Sequence, residues 1–397
     1  MKNIFEHLNK DQIEDLINRY YTEKAMDLIE EFNLEVSPSS LKKHFPPEDV
    51  GRPCPHCSTG LYRKRLTKSE FQYRSEPKKA YCPNCHHIES ENCPCTHCEL
   101  HRFRIREEEK KLRAEYIKNK YTIDPVNYPV YEDLSYKEKI ILGAYIREGM
   151  LENFREIKPL NDFLTKFTPT KILEEQYFSF LQNHNFLEVS HHTDDNGLMI
   201  LDLEAKEDIL FEDYCRYNLC IKSRSLATDK LIQQILIPIK PTEDELENAL
   251  LLWQELAVHE CIDYYWVTIE RLFGKARVGE KTLTVFSDLV RKFSVGQIYN
   301  IIYSSSNYVL RWQREKGTPN YRAVNSLIGN IQSFAEKAII NKYTLKPFRR
   351  DFNCQQSIMS KYFLEGVLNL PEAGFNTVPS LEKIKDSRSQ NGDKLDE

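Results

Sequence analysis

Apolar residues recur every three or four positions over much of this chain, a spacing that predicts helices. In KDQIEDLINRYY, Ile13, Leu16, Ile17 and Tyr20 share one face, and in TEKAMDLIEEFNL so do Ala25, Leu28, Ile29 and Phe32. SPSSLKKHF predicts a third short helix, with Ser37 as N-cap, Pro38 at the first helical position, Leu41 and Phe45 as its apolar edge, and FPP as its stop. After a stretch over 121–134 rich in proline and tyrosine, read as a linker, SYKEKIILGAYIREGM, KPLNDFLTKF and TPTKILEEQYFSFLQNHN predict three helices, the first capped by Ser135. FLEVS and GLMILDL predict two strands around HHTDDN, which gives the order of a winged helix, three helices and then a hairpin. From Phe211 onward the pattern is helical. A long helix starts at Pro241 with Leu246, Leu250, Trp253, Leu256, Ala257 and Tyr264 at helical spacing, and others start near Glu280, Ser294, Pro319 and Gln355. The closing VPSLEKIKDSRSQNGDKLDE is polar and predicts a disordered tail.

One region breaks the helical pattern. CPHC supplies Cys54 and Cys57, and CPNC, twenty-four residues later, supplies Cys82 and Cys85. Each pair opens Cys-Pro, which sets a tight turn offering two thiolates, and two such turns close a tetrahedral zinc site. The residues between them predict two short strands and a turn, hence a zinc ribbon. Cys93, Cys95 and Cys98 follow at C-x-C-x-x-C spacing, and a second zinc needs one more ligand. His87, six residues before Cys93, and His101, three after Cys98, both fit, with His87 preferred because it directly follows the first site. Sites closed by four such ligands leave no open position for substrate and so predict structural metal.

Residues 10–45 resemble the helix-turn-helix units of DNA-binding regulators and recombinases. That resemblance implies a reader helix whose outward residues are Ser39, Ser40, Lys42, Lys43 and His44. The ribbon adds Arg63, Lys64, Arg65, Arg74, Lys78 and Lys79, interleaved with Tyr62, Phe71, Tyr73 and Tyr81, a mixture suited to backbone tracking and base stacking. The combination is similar to bacterial DNA-binding regulators and to mobile-element or defence-associated proteins.

Composition sets the outer limits. The 397 residues hold 55 Lys+Arg and 60 Asp+Glu, a net charge of −5, so any nucleic-acid surface must be local. Seven of the eleven cysteines lie between Cys54 and Cys98, too lopsided for a disulfide framework, and the charged start lacks the apolar core of a secretory signal. With no apolar run long enough for a membrane span, these features predict a cytoplasmic protein. HECID starts like a metalloprotease helix, but Asp263 stands where the second histidine belongs, and no P-loop, dinucleotide fingerprint or nucleophile elbow is present.

The expected fold class is mainly α. Its segments are a helix-turn-helix over 1–50, a zinc ribbon with trailing helix over 51–120, a helical or winged-helix-like domain over 132–205, a helical domain over 206–375 and a tail over 376–397. The expected function is that of a zinc-containing nucleic-acid-binding protein, DNA before RNA, with a helical body for protein partners or self-association. An adaptor subunit of a larger complex is the alternative, and an enzyme whose site these motifs do not reveal is a third.

Overall fold

Local caps set where the first elements begin. Asn9 and Gln12 form a capping box at the start of α1 (Lys10–Tyr20). It packs Leu16 and Ile17 against Leu28 of α2 (Ala25–Glu31) and against Phe5, Leu34, Leu41 and Phe45. The third helix expected here is not formed. Leu41–His44 is a single 3-10 turn, and the Ser37 hydroxyl lies 2.7 Å from Ser40 Oγ and 3.3 Å from Ser39 Oγ. The Ser37 hydroxyl is thus spent on neighbouring hydroxyls and makes no N-cap bond to a backbone amide, which removes the local start signal for a helix. Ser39, Ser40, Lys42, Lys43 and His44 therefore sit on a turn, with no recognition helix to carry them into a groove.

The structure, a computed structural model, describes residues 4–203, 205–274 and 280–392. It is mainly helical, 54% helix against 8% strand, as the periodicity predicts. The chain divides into two compact units, Met1–Arg113 and Ala114–Glu397, a coarser division than the sequence segments. In the first unit β1 (Glu48–Pro53) pairs antiparallel with β2 (Gly60–Arg63), Glu48 opposite Arg63 and Pro53 opposite Gly60. Tyr62 exchanges both backbone hydrogen bonds with Tyr81, at 2.9 and 2.7 Å. Between β2 and Tyr81, where a second strand was expected, lies the short helix α3 (Lys68–Gln72). Thr67 and Glu70 form its capping box, a local signal that outweighs the β-forming Phe71 and Tyr73. The long helix α4 (Thr96–Tyr121) follows, and the division between units falls within it.

In the second unit α5 (Tyr136–Gly149) starts at a Ser135–Glu138 capping box and is buried along most of its length. KPLNDFLTKF forms only a 3-10 turn over Leu160–Asp162, whereas α6 (Lys171–Asn183) is a full helix. The strands are β3 (Glu156–Ile157), β4 (Leu187–Val189), β5 (Leu198–Asp202), β6 (Glu207–Leu210) and β7 (Tyr217–Leu219). The expected β4–β5 hairpin does not form. β7 lies between β3 and β4, and β5 pairs with β6. β6 and β7 fall in the stretch read as all-helical, and this pairing is not the wing of a winged helix. His192 of the HHTDDN turn reaches back to Glu156 at 2.7 Å, and Asp194 accepts from the Asn196 and Gly197 amides.

The remaining helices are α7 (Thr228–Ile235), α8 (Leu246–Phe273), α9 (Glu280–Leu289), α10 (Val295–Lys316), α11 (Asn320–Ile340), α12 (Ile358–Lys361), α13 (Ala373–Asn376) and α14 (Leu381–Gly392). A π-helical stretch, Tyr362–Val367, continues α12. The expected disordered tail is helical as far as α14 reaches, because Ile384 is buried among apolar side chains and Ser380 caps the first turn; residues 393–397 lie outside the described residues. The HECID segment of α8 is a set of internal ties. His259 Nδ1 lies 2.7 Å from Thr170 Oγ1, Glu260 takes both its oxygens to Arg350 Nη2 at 3.1 Å, and Asp263 pairs with Lys166. No described helix is long and apolar enough to cross a membrane.

Candidate metal centres

The two Cys-Pro knuckles are built alike. In the first, the Cys54 amide donates to Thr59 O at 2.7 Å and the Ser58 amide to Cys54 O at 3.0 Å. In the second, the Cys82 amide donates to His87 O at 2.7 Å and the His86 amide to Cys82 O at 3.1 Å. The residue after each second cysteine is left-handed, Ser58 at φ 59° and His86 at φ 58°. β1 and β2 flank the first knuckle, while the Tyr81–Ile88 bridge closes the second. Pairing of Tyr62 with Tyr81 then brings the two loops face to face.

Their thiols meet crosswise. Cys54 Sγ lies 3.5 Å from Cys85 Sγ, and Cys57 Sγ lies 3.4 Å from Cys82 Sγ. Disulfide sulfurs stand at about 2.05 Å, so these cysteines are free thiols gathered at one point. Four thiolates this close repel one another, and their acidities split. Hydrogen bonding with the Thr59 hydroxyl and backbone holds the Cys57 thiol down to about 5, whereas burial pushes Cys85 up to about 12. The apolar cluster here is small: Leu61 and Ala80 are buried with Cys54 and Cys82, and Val50 is partly buried against them.

A second cluster forms around His87, which is buried. Its Nδ1 lies 3.4 Å from Cys93 Sγ, 3.8 Å from Cys95 Sγ and 3.4 Å from Cys98 Sγ. Cys95 immediately precedes α4 and Cys98 lies in its first turn, where unpaired amides and the helix dipole favour thiolates. Burial works against the Cys93 thiolate, but the Ile88 and Cys95 amides outweigh it and hold the thiol at about 6. Burial, then Cys95 and Cys93, push Cys98 up to about 12. Arg102 fixes this loop through Cys93 O at 2.6 Å and Glu91 O at 3.1 Å.

Of the two histidines weighed for this cluster, His87 is at its centre. His101 is exposed on α4 and belongs to neither donor group. Sequence reasoning missed His56. It sits inside CPHC, yet its Nε2 lies 3.3 Å from Cys98 Sγ, and with His87, Cys95 and Cys98 it forms a group with donor atoms within 4.8 Å of one another. Its ring stacks on His97 and meets His87 edge-on at 4.7 Å. The only signal in the sequence was a histidine between two metal-spaced cysteines.

The basic residues expected to touch nucleic acid divide. Arg65 Nε is bonded to Pro46 O at 2.9 Å, Lys78 pairs with Glu70, and Arg63 Nε is buried. Lys64, Arg74 and Lys79 are exposed, with Tyr73 84% exposed and Phe71 49% exposed beside them in sequence. The two cysteine-rich groups are thus within metal-binding distance in this structure. No family model, curated protein or solved structure matches this chain.

Proposed function

We propose that the Met1–Arg113 unit is a zinc-ribbon module with two structural zinc ions that presents a basic, aromatic loop to nucleic acid. The convergence of Cys54, Cys57, Cys82 and Cys85 carries the reading. Zinc–thiolate bonds of about 2.3 Å in a tetrahedron put the sulfurs about 3.8 Å apart, close to the 3.4 and 3.5 Å found. A dication would also offset the repulsion among the thiolates. Four cysteines would hold the first zinc, and His87, Cys93, Cys95 and Cys98 the second. Both sets are closed, so the metal would supply folding energy that Leu61 and Ala80 cannot.

The loop supports contact with nucleic acid, DNA first and RNA as the alternative. Tyr73 offers an exposed ring and Phe71 a half-exposed one that stacks on Tyr21, and Lys64, Arg74 and Lys79 offer cations without structural duties. Fluorescence anisotropy on mixed duplexes over a salt series tests this. Lys64→Ala/Arg74→Ala/Lys79→Ala should weaken binding and lower the log–log salt slope by roughly 0.9 for each phosphate no longer neutralised, with zinc content unchanged. An unchanged slope with intact zinc would turn the reading to the adaptor. That second reading is favoured by Leu100, Phe103, Ile105 and Leu112, all exposed apolar residues of α4.

A further inference from the structure

One segment of the second unit is strongly net positive. Residues 290–350 hold eleven Lys and Arg against two Glu, in a chain whose net charge is −5. Most of this segment is the helix pair α10 and α11, whose inner faces are already used. Ile298, Ile301, Ile302 and Val309 of α10 are buried with Leu327 and Ile331 of α11.

The outer face of α10 has a specific content. At 100° per residue, positions 300, 303, 304, 307, 308, 311 and 314 lie within one arc of roughly 140°. They are Asn300, Tyr303, Ser304, Asn307, Tyr308, Arg311 and Arg314, and Glu315 is the one acid on the same arc. Tyr303 is 49% and Tyr308 56% exposed. From Tyr303 to Arg314 the arc runs roughly 16 Å along the helix.

A strap lengthens this face. Residues 345–350 lie along the start of α10, where Gln297 Nε2 donates to Leu345 O at 3.1 Å and Asn300 Nδ2 to Lys346 O at 3.0 Å. The Phe348 amide donates to Gly296 O at 2.8 Å, and its ring lies 5.5 Å from that of Tyr303. Gly296 permits this approach, since a Cβ there would stand 2.9 Å from Phe348 O. Arg350 turns inward to Glu260, but Lys346 and Arg349 remain exposed. Among the described residues, no carboxylate pairs with Arg311, Arg314, Lys346 or Arg349.

We infer that the outer face of α10, with the 345–350 strap, is a binding surface for single-stranded nucleic acid. Four unpaired cations provide phosphate contacts and Asn307 a hydrogen-bonding amide, while Asn300 and Ser304 bond to each other and to the strap. Two exposed tyrosine rings provide stacking faces, which unpaired bases can use and a closed duplex cannot. A membrane surface fits poorly, because an interfacial helix needs an apolar face for lipid and that of α10 is inside the core. This surface shares no residue with the loop at Lys64, Arg74 and Lys79, so each can fail without the other.

Anisotropy of a fluorescein-labelled oligothymidylate with the full chain tests the inference over a salt series. Four contacts to a single strand contribute about −2.8 to the log–log slope, and Arg311→Ala/Arg314→Ala should lower its magnitude by about 1.4, in the chain that carries Lys64→Ala/Arg74→Ala/Lys79→Ala as in the wild type. Tyr308→Ala should weaken binding roughly 5- to 100-fold, the loss of one stacked base. All these side chains are exposed, and circular dichroism with an unchanged melting temperature verifies that each variant folds. Wild-type slope and affinity in Arg311→Ala/Arg314→Ala would overturn the inference. If Lys64→Ala/Arg74→Ala/Lys79→Ala abolished binding in the same assay, the first-unit reading would stand alone. Binding of polyglutamate equal to that of oligothymidylate, unaffected by Tyr308→Ala, would instead overturn it in favour of an acidic protein partner. Capture by phosphatidylserine vesicles without oligothymidylate binding would overturn it in favour of a lipid surface.

Discussion

His56 Nε2 lies 3.3 Å from Cys98 Sγ, although forty-two residues separate them. The first knuckle thus delivers a fifth donor to a cluster that already holds four. Cys98→Ser should therefore keep close to two zinc ions per chain, the second bound more weakly, because His56 can close the tetrahedron. Cys98→Ser/His56→Ala should keep one. Elemental analysis after dialysis against a graded chelator distinguishes these outcomes, and equal loss from the single and double variants would remove His56 from the site.

Metal identity and ligand set can be read separately. Cobalt(II) replacing zinc should give the charge-transfer and d–d bands of two tetrahedral centres, one with four thiolates and one with three thiolates and an imidazole. Cys82→Ser should abolish the first alone. Chelation should raise amide exchange throughout residues 50–98 while α8 and α10 stay protected, since the knuckle core is so small.

The backbone of the knuckles makes its own prediction. His86 adopts a left-handed conformation at φ 58° without serving as a ligand, and its side chain is exposed. His86→Gly should leave zinc stoichiometry at two and leave stability unchanged or raised by up to about 1 kcal/mol. Loss of a zinc ion in this variant would make His86 a ligand after all.

In the second unit, Arg350 is the partner of a buried charge. Glu260 is only 3% exposed, and the Arg350 guanidinium also lies over the Phe375 ring at 4.5 Å. Arg350→Ala strands the carboxylate and should cost about 3–5 kcal/mol. Urea unfolding should show a lower midpoint, with partial recovery in Arg350→Ala/Glu260→Gln. A midpoint unchanged in the single variant would contradict the role given to this pair.

Acid should act through Asp208. Burial opposes its charge, but hydrogen bonds from Lys120, Tyr116 and Tyr121 outweigh burial and hold its pKa below the ordinary value. A lowered folded pKa stabilises above the unfolded value of about 3.9, and that contribution is lost as pH falls through the folded value. Stability of the Ala114–Glu397 unit should therefore drop with acidification below about pH 4. Asp208→Asn should cost about 1–3 kcal/mol at neutral pH and remove part of that acid limb in melting curves.

Local rules made much of this legible. Caps at Asn9, Ser135 and Ser294 stand where the sequence places helix starts or close to them, and the C-x-x-C pairs meet as their spacing requires. What failed depends on partners distant in sequence. Nothing within FLEVS or GLMILDL reveals that Tyr217–Leu219 will take the place beside β4. The helix expected after Ser37 is absent for a different reason: Ser and Pro support a helix start and a tight turn equally, and the Ser37 hydroxyl bonds to Ser39 and Ser40 instead of capping an amide. Which basic residues of the ribbon stay free was also hidden, because Pro46 and Glu70 take Arg65 and Lys78 only once β2 and α3 are in place.

The matched backbone bonds of the two knuckles bear on the life of the nascent chain. Each loop closes on itself within six residues, and all four thiols of the first cluster lie between Cys54 and Cys85. At roughly 5–20 residues per second, a ribosome makes that stretch in a few seconds, long before the α8 to α11 region exists. The first ion could thus be captured during synthesis, by loops already curled to receive it. That order would cap four of the protein's eleven thiols while most of its core is still unmade.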